Sequence, residues 1–109
     1  MIAIQVPEFN NKKWWYNRDY EMLGKHHQDN NEFDTIDRLY YVYYSGSWEW
    51  AWHCIFLKDH KWWVHDMWHC SCNWPLYDIE YWSFETIQEA LNKSEFNEQQ
   101  KDFILKDYL

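Results

Sequence analysis

The chain has 109 residues, enough for one domain with its own apolar core and no need of covalent staples. Its 18 acidic and 10 basic residues give a net charge of -8, which excludes the clustered cations of a long nucleic-acid footprint. Its 3 cysteines are an odd number, which excludes a complete disulfide framework, and no run of about 18 apolar residues is available to span a bilayer.

Ile2, Ile4 and Val6 alternate with Ala3 and Gln5, a short strand that Pro7 ends. The segment Met1-Ile2-Ala3-Ile4 leads directly to Pro7-Glu8, so no secretory leader is visible and reduced thiols in a cytoplasmic setting are expected. Trp15, Arg18 and Met22 give a ragged helical stripe before Gly24, read as a short helix. His26-His27 opens a polar connector. Adjacent residues on a regular element point apart, so these two read as surface histidines rather than paired ligands.

Order returns at Leu39 to Tyr44, aromatic and β-branched and therefore a strand. Ser45-Gly46-Ser47 turns it into a second strand, Trp48 to Leu57, and Lys58-Asp59-His60-Lys61 turns that into a third, Trp62 to Trp68. If Asp59-His60 are the two turn residues, Leu57 faces Trp62, Phe56 faces Trp63, Cys54 faces His65 and His53 faces Asp66. One face then carries Trp48, Trp50, Trp52, Cys54, Phe56, Trp63, His65 and Met67, and is expected to be the core. Further on, Ser83 reads as the cap of a helix with Phe84, Ile87 and Leu91 on one side. Ser94 reads as the cap of a second, with Phe96, Phe103 and Ile104. The expected fold is α+β, one domain over 1–109, a three- to four-stranded antiparallel meander packed against C-terminal helices.

The chemistry-bearing residues concentrate in Trp62 to Pro75, an aromatic strand running into His69-Cys70-Ser71-Cys72. That motif, after a Lys-Trp-Trp-Val-His-Asp strand and before a Glu-Thr-Ile-Gln-Glu-Ala-Leu helix, resembles a group of small uncharacterised phage and prophage proteins. The resemblance covers roughly Tyr43 to Leu91. It departs from the group at Asn73-Trp74-Pro75, where the others continue with an aromatic-glycine pair. It implies an origin rather than a reaction: a phage-like accessory protein, working in the host cytoplasm, of the kind that antagonises host enzymes or defences.

Three chemical readings compete. Cys70 and Cys72, with His69 or His65 and Cys54, would make a sulfur–imidazole set suited to zinc. Against this, a C-x-C pair is a loose zinc signature, and free cysteines usually pack as small hydrophobes. A Cys54–His65 or Cys70–His69 thiolate–imidazolium pair, with Asp66 next to His53 to orient a base, would make a thiol catalyst, but no oxyanion loop or phosphate loop completes a site, so no enzyme is expected. The aromatic excess suits a binding surface, expected at Tyr41, Tyr43, Trp62, Trp68, Trp74 and Trp82, with an acidic rim to steer a basic protein partner. Sequestering a nucleotide or small ligand by stacking is the alternative, weakened because Arg18 and Arg38 are the only arginines.

Overall fold

The computed structural model describes residues 2–9, 16–17, 35–45, 49–70 and 82–109. For 16, 17, 45, 49, 50 and 67–70 only the backbone is described. The elements are β1 (Ile2–Gln5), β2 (Tyr16–Asn17), β3 (Arg38–Ser45), β4 (Glu49–Lys58), β5 (Lys61–Cys70), β6 (Trp82–Phe84), α1 (Ile87–Lys93) and α2 (Glu98–Tyr108). Among the described residues this is an α+β arrangement of one mixed sheet and two C-terminal helices.

The sheet runs β1-β3-β4-β5-β6, and β2 pairs with β3 as well. Strands β3 to β6 are successive antiparallel neighbours, as a meander requires. The expectation of a purely antiparallel sheet is corrected at β1, which pairs parallel to β3 with Ile2 opposite Arg38 and Gln5 opposite Tyr41. A parallel pair needs a long crossover rather than a hairpin, and the long stretch between β1 and β3 permits it. Nothing in a five-residue alternation records strand direction. Tyr16–Asn17, inside the stretch read as a helix, form a two-residue strand against Tyr44 and Ser45, and the rest of that stretch lies outside the described residues.

The β4–β5 register is the one that the Asp59-His60 turn dictates: Cys54 opposite His65, His53 opposite Asp66, Leu57 opposite Trp62. Asp59 and His60 both take positive φ, 54° and 64°, the backbone of a tight turn that follows strand twist.

Both faces of the sheet are buried. Trp52, Cys54 and Phe56 cluster with Ile36, Leu39, Tyr41 and Tyr43, and Ala3 and Trp63 pack against them. On the other face Tyr40, Val42, Tyr44, Ile55, Trp62 and Val64 meet Ile87, Ala90, Leu91, Phe96 and Ile104 of the helical segment. The face read as the core is therefore one of two, and the helices cover the opposite one. This explains why Leu39 to Tyr44 shows no polar alternation: a central strand buried on both sides has no solvent face to mark.

The helix starts also move. Ser83 lies in β6, and α1 begins after Thr86, whose hydroxyl accepts from the Glu89 amide at 3.2 Å. Ser94 closes α1 instead of opening α2, donating its hydroxyl to Leu91 O at 2.8 Å. Asn97 and Gln100 form a reciprocal capping box that starts α2. The physical reason is pairing: Thr86 and Asn97 each have a Glu or Gln three residues on, whereas Ser83 and Ser94 do not.

Candidate functional site

The hairpin brings His53, Cys54, His65 and Asp66 together as two cross-strand pairs, and the pleat sends the pairs to opposite faces. On the helix face, His53 Nδ1 lies 3.0 Å from Asp66 Oδ1, both side chains about one-fifth exposed. The Tyr44 ring meets His53 edge-on, with centroids 6.5 Å apart. On the other face Cys54 is fully enclosed and His65 is 5% exposed. Burial pushes the Cys54 thiol well above its ordinary range, with Asp66 adding to the shift. Burial also pulls His65 down to about 4, against a smaller upward pull from Asp66. A thiolate–imidazolium pair needs both shifts reversed. Asp66 does pair with His53, but on the face of the sheet opposite Cys54 and His65.

Of the five residues read as metal ligands, the hairpin register separates Cys54 and His65 from His69 and Cys70. Cys54 and His65 stand opposite each other, but Trp50 opposes His69 and Glu49 opposes Cys70. At about 3.4 Å per residue, His69 and Cys70 lie roughly 14 and 17 Å further along β5 than His65. Donors to one zinc must all lie within about 2.3 Å of it. The side chains of His69 and Cys70, and all of Cys72, lie outside the described residues. Among the described residues no group of three or more His, Cys, Asp or Glu is assembled.

The expected aromatic surface divides as well. Tyr41, Tyr43 and Trp62 are corrected from surface anchors to core: they are 2%, 7% and 4% exposed. Tyr41 stacks on Trp52 with centroids 5.5 Å apart, and Tyr43 meets the same indole edge-on at 6.0 Å. Trp62 stands edge-on to Tyr108 at 5.0 Å under α2. Two-sided burial is the cause, since strand propensity and surface preference select the same aromatic residues. The Trp68 side chain and Trp74 lie outside the described residues. Trp82 alone of the six is described and open, 57% exposed on the edge strand β6. The Lys93 ammonium sits 4.4 Å from its ring centroid, a cation–π contact from the last turn of α1.

Two clusters carried no sequence signal because their members are far apart in the chain. Asp107 Oδ2 accepts from Arg38 Nη2 at 3.0 Å and from the Tyr40 hydroxyl at 2.8 Å, while Arg38 Nε donates to the same hydroxyl at 2.8 Å. The Tyr40 and Arg38 hydrogen bonds hold the Asp107 carboxyl below its usual range. The cluster fastens α2 to the start of β3, and Arg38 also lies over the Tyr40 and Tyr108 rings. Buried Gln100 donates to Pro7 O and to the Tyr44 hydroxyl, both at 3.2 Å, joining α2 to the segment after β1.

Comparison with known proteins finds no matching family model, no matching curated protein and no matching solved structure. Among the described residues no helix is long and apolar enough to cross a membrane.

Proposed function

We propose that this chain is a non-catalytic protein-binding module whose partner meets the β6 edge and the acidic helical surface beside it. One observation carries the reading: Trp82 is more than half exposed at the edge of a sheet that otherwise draws its described aromatics into two cores. Large amphipathic rings at a sheet edge are the usual anchors of a protein interface. Glu85, Glu95 and Asp102 stand exposed, with no ion-pair partner among the described residues. Together with a net charge of -8, they favour a basic partner and a salt-dependent association rate.

The phage-like resemblance of the hairpin and the His-Cys-Ser-Cys stretch extends the proposal to the kind of target, a host enzyme or defence complex that the protein inhibits in the host cytoplasm. Nucleotide sequestration has less support, because Arg38 is engaged with Asp107 and the stacking candidates Tyr41, Tyr43 and Trp62 are enclosed. A zinc-stabilised adaptor has less support too, because the register sets Cys54 and His65 four or more residues along the hairpin from His69 and Cys70.

The test is a side-by-side affinity capture from host lysate with the wild-type chain, Trp82→Ala and a Glu85→Lys/Glu95→Lys double variant. A specific protein retained by the wild type and lost from both variants, with their melting unchanged, supports the proposal. Retention of the same protein by Trp82→Ala at wild-type level would overturn it.

A further inference from the structure

Three buried polar atoms lack a hydrogen-bond partner among the described residues: Trp52 Nε1 and both ring nitrogens of His65. The residues that carry them share one face of the sheet with Cys54. Cys54 and His65 are direct cross-strand partners, so their side chains rise side by side, with Cβ atoms about 4.5–5.5 Å apart. Trp52, two residues before Cys54 on the same strand, shares that face. A buried imidazole with neither nitrogen satisfied is rare in a native fold and calls for an occupant, water or ion.

From this juxtaposition we propose that Cys54 and His65 together hold one monovalent soft metal ion of the Cu(I) class, between Sγ and a ring nitrogen. On binding, the thiol releases its proton to solvent, the sulfur bonds to the metal, and the imidazole lone pair supplies the second bond. Nothing is oxidised or reduced. One thiolate and one monovalent ion sum to zero charge, so the site needs no further counter-ion in apolar surroundings. A divalent zinc on the same two donors keeps a net positive charge and two open positions of its tetrahedron. Thiolate sulfur is also the donor that selects Cu(I) among biological metals. The Trp52 indole N–H, beside the sulfur yet without a hydrogen bond of ordinary geometry to the neutral thiol, gains a charged acceptor when the metal binds. The site is independent of the β6 edge.

The experiment is anaerobic titration of Cu(I), presented as its complex with a chromophoric chelator. The protein is the full chain carrying Cys70→Ser and Cys72→Ser, which removes its other two thiols. The expected result is withdrawal of one equivalent of Cu(I), with release of one proton. Adding Cys54→Ser, or separately His65→Phe, weakens uptake on the order of 100-fold or abolishes it. His65→Phe keeps an apolar ring in the pocket and serves as the test if Cys54→Ser does not fold, with near-ultraviolet circular dichroism as the check. No uptake by a natively folded Cys70→Ser/Cys72→Ser chain overturns the proposal and leaves an ordered water as the occupant. Uptake that survives His65→Phe unchanged also overturns it.

Discussion

Replacing His65 by leucine should stabilise the metal-free protein, and the gain should grow as the pH falls. A neutral imidazole has one donor and one acceptor, and neither finds a partner among the described residues. Each unsatisfied buried group costs about 1–3 kcal/mol, so an apolar side chain of similar size should gain about 2 kcal/mol or more near neutral pH. The second component comes from protonation. His65 falls from 6.5 to about 4 in the folded protein, chiefly by burial. Between those values the unfolded chain binds a proton that the folded chain refuses. Stability is therefore fully present above about 6.5 and is lost as the pH drops toward 4. At about 1.36 kcal/mol per unit, the wild type loses about 2 kcal/mol by about pH 5 and about 3 kcal/mol in all. His65→Leu removes that loss. The assay is urea unfolding followed by tryptophan fluorescence in chelator-treated buffer, at about pH 7 and about pH 5. Parallel losses in both proteins would refute the neutral buried imidazole, and a variant less stable than wild type near pH 7 would show that its nitrogens have partners.

Three further outcomes follow from the two cores and the turn. Trp52→Ala, at a fully enclosed indole between Tyr41 and Tyr43, should cost about 3–5 kcal/mol in denaturant unfolding, and a loss under about 1 kcal/mol would mean that this face is not a core. Tyr40→Phe removes the hydroxyl bridging Arg38 and Asp107 and should cost about 1–2 kcal/mol. Burial above all raises that phenol to about 12 from 10.0, so the unfolded chain ionises first and wild-type stability should fall between those values, a decline smaller in the variant, which keeps the buried Tyr44 phenol, also raised. His60→Gly relieves a side chain held at φ 64° and should raise the melting midpoint by the equivalent of about 1 kcal/mol, with a fall in the midpoint refuting the strained turn.

The local rules read the hairpin well and the long-range ones poorly. Asp59-His60 set the β4–β5 register because a two-residue turn leaves one pairing, and Cys54–His65 and His53–Asp66 followed from it. The apolar spacing marks both helices, but Ser83 and Ser94 are not their caps: Thr86 and Asn97 are. The reciprocal signals were already present in Thr86-Ile87-Gln88-Glu89 and Asn97-Glu98-Gln99-Gln100. The parallel β1, the Arg38–Tyr40–Asp107 fastening and the Gln100 bridge depend on residues tens of positions apart, and no local period encodes them.

The aromatic content misled for a reason that bears on function. Aromatic excess suggests exposed surface, yet a sheet with cores on both faces consumes Tyr40, Tyr41, Tyr43, Trp52 and Trp62 in packing. With both faces of the sheet covered, the described sheet leaves its edges and the backs of the helices exposed. Trp82 is the described tryptophan that the edge leaves open, and Lys93 already shows that its ring accepts a cation. The number of tryptophans therefore says little about binding. The proposed interface rests instead on the position of Trp82, on a strand that pairs with β5 and precedes the acidic C-terminal segment. An interface built there would be small in aromatic area and strong in charge, so its association rate should fall steeply with added salt while its specificity rests on one ring.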